Sequence, residues 1–207
     1  MQRKKCCYCE AYIPEEGHLK AVEHFRPQSV YSNLMNDWPN LLLACAQCNG
    51  KKSDKFPRQL PDGTNVIRDK SGRRTRTLLI NPSDDEEVDP EDHLDFVVSY
   101  KELAILGLIR PKNGSRRGDA TIQTTGLFKS FHTARHKKLI QRLQILLVEM
   151  DRANDQNDQM HLQELKRRFR SELSAGSEFA AVARTFAREH QLDQLFGIDI
   201  PVGWNTA

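Results

Sequence analysis

Four of the five cysteines fall into two pairs of the same form, Cys6-x-x-Cys9 and Cys45-x-x-Cys48, with Cys7 left over. Thiolates are soft ligands, and two such knuckles can surround one Zn²⁺ tetrahedrally, which would staple the start of the chain to a distant segment. Cys7 could stand in for Cys6, since the spacing admits either. The competing reading is a redox-active pair, but that motif belongs to a βαβ setting that the sequence does not offer. Between and just after the knuckles lie the other residues able to do chemistry: Glu23, His24 and Arg26 within the run from Val22 to Pro27, then Asn40, Asn49, Lys51 and Lys52 within the run from Trp38 to Lys52. A neutral imidazole, with an ordinary pKa of about 6.5, can take a proton from water. Carboxylate and amide oxygens suit a hard divalent cation such as Mg²⁺ or Mn²⁺.

The elements that must position these groups are short. Leu19 to Phe25 reads as a strand that Pro27 ends or pushes to an edge, and Leu41 to Ala44 as a second, buried strand running into the second knuckle. A short helix is expected after Asn49. Neighbouring residues of a regular strand point to opposite faces, so Glu23 and His24 can act together only where the strand twists or ends, and Pro27 supplies such an ending.

Such a unit resembles the HNH endonuclease family, whose ββα-metal fold carries an acid–His pair on its first strand, a middle Asn just before an apolar strand, and a third His or Asn on the helix. Those positions read Glu23-His24, Asn40 and Asn49 here. The resemblance implies metal-dependent phosphodiester hydrolysis with His24 as general base, Glu23 and Asn49 as ligands of a catalytic Mg²⁺ or Mn²⁺, and Asn40 as a brace for the loop that holds His24. Arg26, Lys51 and Lys52 would hold phosphates. The acid is Glu rather than the commoner Asp, and the third position is Asn rather than His. Further matches, at Cys6 to Glu10, Glu23 to Pro27, Asn40 to Cys45, Cys48 to Lys52 and Phe56-Pro57, look like the HNH subunit of the Septu anti-phage defence systems, also associated with certain retrons. Leu79 to Pro82, Asp89 to Leu94 and Thr121-Ile122 agree more thinly. That resemblance implies DNA as substrate, with RNA left open, and an ABC/SMC-like ATPase as partner. No G-x-x-x-x-G-K-[S/T] stands in the chain, so nucleotide handling would fall to that partner.

Charge divides the 207 residues into three regions. Residues 1–76 hold 14 Lys/Arg against 8 Asp/Glu, residues 77–100 hold 8 acidic residues and no basic one, and residues 101–207 hold 17 against 12. Basic regions flanking an acidic insert fit contact with a polyanion. Residues 1–76 are read as the nuclease domain with its knuckles and a basic linker containing Arg68, Lys70, Arg73, Arg74 and Arg76. Residues 77–207 are read as an acidic segment, a small β element at Phe96 to Ser99 and Ile105 to Ile109, and a helical domain for partner binding. Asp89-Pro90-Glu91 opens a helical turn, so that Asp89, Asp92 and His93 are structural rather than catalytic. Asp84, Asp85, Glu86 and Glu87 are candidates for a docking surface or for a gate that repels DNA.

From Leu127 the apolar period becomes helical: Leu139, Leu143, Leu146, Leu147 and Met150 line one face, then Leu162, Leu165, Phe169 and Leu173, then Phe179, Val182 and Phe186 in a helix opened by Ser177-Glu178. The basic run at Lys166, Arg167, Arg168 and Arg170 reads as a solvated face. The expected class is α+β, mainly α: a zinc-stapled ββα-metal unit followed by a helical domain. No apolar run approaches the roughly 20 residues of a membrane span, and the chain is expected to be cytoplasmic. Two rival readings stay open: a zinc-dependent nucleic-acid-binding or assembly module that does not cut, and a stand-alone HNH toxin or restriction nuclease.

Overall fold

A computed structural model describes residues 2–14, 20–57, 77–81, 89–98, 109–127 and 133–202. The basic linker, Asp84 to Glu87 and most of Ile105 to Ile109 lie outside the described residues. Two compact units emerge, one from Met1–Asp95 with Ile109–Phe128, the other from Phe96–Leu108 with Lys129–Ala207.

In the first unit, strand β1 (Lys20–His24) runs antiparallel to β2 (Leu41–Cys45), with Glu23 opposite Leu42 and His24 opposite Leu41. Helix α1 (Ala46–Lys52) follows β2 without a break, because Cys45 is its N-cap and the Cys45 Sγ accepts the Cys48 N–H at 3.4 Å. The expected helix after Asn49 therefore starts earlier, with Asn49 inside it. The knuckle itself begins the helix, a role for sulfur that spacing did not reveal. Phe56 packs edge-on against Phe25 and Tyr31, at 5.5 and 5.6 Å between ring centroids, and fills the space beneath the loop after β1.

Helix α2 (Pro90–His93) is the expected acidic turn, with the Asp89 carboxylate accepting the Glu91 N–H. Strand β3 (Leu94–Phe96) pairs with β4 (Ile109–Pro111), so the first strand of the small β element begins two residues before Phe96. Helix α3 (Arg116–Thr125), opened by the Ser115 hydroxyl on the Gly118 N–H, had no apolar period to announce it, since its buried side is mostly Thr121, Ile122, Thr124 and Thr125. Thr121 Oγ1 accepts the Ile80 N–H at 3.0 Å and Arg117 donates to the Leu79 carbonyl at 3.1 Å. These bonds tie residues 79–80 to α3, and both fall within the first unit.

Gly118 packs directly on α2. A Cβ there would lie 2.2 Å from the His93 carbonyl oxygen, and backbone cannot step aside as a side chain can. Gly118→Ala is expected to destabilise this unit by about 1–3 kcal/mol or more, read as a fall in Tm. An unchanged Tm would show that α3 slides freely on α2.

The second unit is helical. Helices α4 (Thr133–Asp155), α5 (Gln159–Leu173), α6 (Ala180–Glu189) and α7 (Leu192–Phe196) bury the three expected stripes: Leu139, Leu143, Leu146 and Met150 on α4, Leu162, Leu165, Phe169 and Leu173 on α5, and Val182 and Phe186 on α6. Leu147 is only half-buried, and Ile140 takes a core place instead. Helix α6 begins at Ala180 rather than Ser177, because Phe179 adopts a left-handed conformation, φ 56°, that breaks the run. Arg184, fully buried in α6, donates to the Leu173 carbonyl at 2.9 Å and so closes the last turn of α5.

Candidate active site and metal centre

The metal centre is built by the N-terminal knuckle folding over the end of β2. Lys5 bridges to Tyr12, Cys6 N–H donates to the Ala11 carbonyl, and Cys7 N–H donates to the Leu43 carbonyl, which brings the first cysteine pair to the second. The sulfurs of Cys6, Cys9, Cys45 and Cys48 all lie within 4.8 Å of one another, and the Cys9 and Cys45 sulfurs are 3.9 Å apart. Four sulfurs at about 2.3 Å from a tetrahedral Zn²⁺ would stand about 3.8 Å from one another, so the four residues fit this ion. Cys7 is buried outside the cluster, which resolves the Cys6 or Cys7 ambiguity in favour of Cys6.

Electrostatics point the same way. Burial opposes a Cys6 thiolate, but hydrogen bonds from Cys45, Cys48, Cys7 and Cys9 outweigh it and bring this thiol well below its ordinary range. The contact with Cys45 comes first in pushing both Cys9 and Cys48 well above theirs. Thiolates this close oppose one another's ionisation, and only a cation among them lets all four deprotonate.

At the far end of the hairpin stand the other candidates. His24 ends β1 half-exposed, and its Nε2 lies 3.0 Å from the Met35 carbonyl oxygen. A carbonyl only accepts, so Nε2 carries the proton and Nδ1 is left as the basic nitrogen. Asn40, 4% exposed, receives the Arg26 N–H on Oδ1 at 2.7 Å and donates through Nδ2 to the carbonyls of Arg26 and Leu34 at 3.0 and 3.1 Å. One side chain thus ties the exit of β1 to the loop that carries Met35.

Glu23, 2% exposed, faces inward, away from the outer side of the hairpin. Its Oε1 accepts the Tyr8 hydroxyl at 3.1 Å and lies 2.5 Å from Lys52 Nζ, which also donates to the His24 carbonyl at 2.9 Å. Burial raises the Glu23 pKa, with Lys52 partly offsetting it. Lys52 is 0% exposed, so the expected phosphate contact at this position is corrected: the ammonium is sealed inside as the counter-ion of Glu23 and no phosphate reaches it. Both polar contacts of Glu23 use Oε1, which leaves Oε2 for another partner. Asn49, half-buried on α1, makes no side-chain hydrogen bond among the described residues. Lys51 is exposed, and the Arg26 guanidinium lies over the Phe56 ring at 5.9 Å. His93 bonds Ser115 through Nδ1 at 2.6 Å, in keeping with a structural role.

Residues 6–55 match the protein-family model described as HNH endonuclease. This segment is an HNH domain. The chain is also similar to curated proteins: 44% identical over 61 residues to the Septu protein PtuB of Bacillus thuringiensis, covering 30% of this chain and 24% of that protein. It is 29% identical over 163 residues to the Septu protein PtuB of Bacillus mycoides, covering 70% and 50%, and 31% identical over 136 residues to the Septu protein PtuA of Bacillus mycoides, covering 59% and 17%. The chain spans half or less of the length of these relatives. No solved structure matches it. The cysteine cluster and the hairpin with His24 both fall inside the HNH domain, whereas no helix among the described residues is long and apolar enough to cross a membrane. Sequence reasoning did not single out Tyr8 or the Met35 carbonyl. A backbone carbonyl has no sequence signature, and Tyr8 was hidden between the cysteines of its knuckle.

Proposed function

We propose that this protein is a metal-dependent DNA endonuclease, the cutting subunit of an anti-phage defence complex whose ATPase partner governs when it cuts. The observation that carries the reading is His24: a half-exposed imidazole whose Nε2 is occupied by a fixed carbonyl and whose Nδ1, without a partner among the described residues, can deprotonate water, within an HNH domain. The names Septu protein PtuB and PtuA among the relatives support the defence setting.

In this reading His24 is the general base and Asn40 holds its loop. By donor type the pair suits a hard cation: Asn49 through its amide oxygen and Glu23 through Oε2 would hold Mg²⁺ or Mn²⁺, which prefer oxygen and keep several waters, and Glu23, 2% exposed beside Lys52, would have to turn outward to reach the ion. When bound, that ion neutralises charge on the scissile phosphate and the leaving oxygen. Lys51 and Arg26 supply the positive potential that draws the backbone in. The four cysteines hold Zn²⁺ and take no part in the chemistry.

With plasmid DNA and Mg²⁺ or Mn²⁺, in the presence of its ATPase partner, the wild type is expected to cut, and His24→Ala at equal zinc content to lose about 10²–10⁴-fold in rate. Full activity without a partner would favour a stand-alone nuclease. Cleavage surviving in His24→Ala would place the reaction elsewhere, and an RNA substrate cut in preference would move the reading from DNA.

A further inference from the structure

Trp38 is 82% exposed, and no contact among the described residues accounts for so large an apolar ring left in water. It opens a one-turn 3₁₀ segment, Trp38–Asn40, in which Pro39 fixes the backbone and the Asn40 N–H closes on the Asp37 carbonyl at 2.8 Å. The turn is rigid because Asn40 is the same residue that clamps Arg26 and Leu34. Three residues before it, Met35, itself 45% exposed, gives the carbonyl that orients His24. A flat, fixed aromatic is therefore displayed on the loop that sets the catalytic imidazole.

We propose that Trp38 is a base-stacking contact of the active site, so that the preferred substrate is DNA with an unpaired or locally opened base beside the scissile phosphate. This deepens the nuclease reading and rests on it. Every nucleobase offers a π-face, and stacking on an exposed ring contributes to affinity without selecting sequence. A rigid ring is suited to this because little of its freedom is lost on binding. Arg26 is tied to the same turn, its N–H held by the Asn40 Oδ1 at 2.7 Å, so the loop that displays the ring also carries a cation suited to a phosphate backbone.

The test uses the full-length chain with Trp204→Phe, so that Trp38 is the sole tryptophan fluorophore. Single-stranded, gapped and fully paired oligonucleotides of one sequence are titrated in Ca²⁺. Quenching of Trp38 by the single-stranded and gapped forms, together with affinity about 10- to 100-fold weaker in Trp38→Ala and largely restored in Trp38→Phe, is the expected result. Equal zinc content and equal Tm make the variants comparable. Unquenched fluorescence with unchanged affinity in Trp38→Ala overturns the stacking contact while leaving the nuclease reading intact, provided that the protein still cuts. Loss of ATPase co-purification in Trp38→Ala with unchanged oligonucleotide binding overturns it in favour of a protein-docking role. Failure of the wild type both to bind and to cut any DNA overturns both readings together.

Discussion

Replacing Lys52 by methionine is expected to destabilise the first unit by about 3–5 kcal/mol and to abolish cleavage, although Lys52 touches no substrate. Methionine has nearly the length of the lysine stem, so packing is kept and the charge alone is lost. The loss leaves Glu23, 2% exposed, as a buried carboxylate with only the Tyr8 hydroxyl to stabilise it, and leaves the His24 carbonyl without its donor. A buried ion pair is worth little compared with an apolar replacement of both partners, but removing one partner strands the other. Glu23→Gln with Lys52→Met is therefore expected to regain much of the stability and none of the activity. The sign of the pH effect follows from the raised Glu23 pKa. The native state binds this proton more readily than the unfolded chain does, so its contribution favours folding at low pH and is lost as pH rises from the unfolded value through the folded one. Without Lys52 the pKa rises further, and the gap in Tm between wild type and Lys52→Met is expected to narrow on going from pH 8 to pH 5. Denaturant midpoints and plasmid cleavage check these outcomes. A Lys52→Met protein as stable and active as wild type would show that the pair is dispensable.

What the residues disclosed in advance depended on whether side chains or backbone did the work. The cysteine cluster was legible because four thiols in two fixed spacings have few other uses in such a setting, and the helical stripes were legible because leucine and phenylalanine at helical spacing need a common side to bury. Strand alternation separated Glu23 from His24 without saying which of them is buried. What alternation could not say was who meets Glu23 on the inside. Lys52 lies 29 positions further along the chain, and only the turn of α1 directly off β2 brings it beneath the strand. Read by type, a Lys beside an Asn in a nuclease motif suggests phosphate, whereas burial makes it a counter-ion. Helix α3 was missed for the opposite reason. Its buried face is mostly threonine, which satisfies its hydroxyls locally, as Thr125 does on the Thr121 carbonyl at 2.7 Å, and leaves no apolar pattern to read.

Removing the zinc is expected to have the largest effect of all. Structural Zn²⁺ in small domains contributes on the order of 10–16 kcal/mol near neutral pH, comparable with or above the whole stability of a typical domain. Cys9→Ser or Cys48→Ser is therefore expected to lose the ion, measured by elemental analysis as one zinc per chain in wild type and none in the variant, and to unfold the HNH segment, while far-UV circular dichroism keeps the signal of α4, α5 and α6, whose core is their own. Cys7→Ser is expected to keep its zinc, since Cys7 stands outside the cluster; zinc lost there and kept in Cys6→Ser would exchange the two assignments. Acidification should release the ion with uptake of protons by the thiolates. The effect on cleavage follows from Cys45, whose sulfur both belongs to the cluster and caps α1 through the Cys48 N–H. Helix α1 carries Asn49 and Lys52, and Lys52 holds the carbonyl of His24. Without zinc the cap loosens, the helix leaves the hairpin, and Glu23 and His24 lose the contacts that set them. Added Mg²⁺ cannot restore activity to a chelated protein, because Mg²⁺ does not take four thiolates; cleavage by a zinc-free protein in Mg²⁺ alone would break this chain of dependence at its first link.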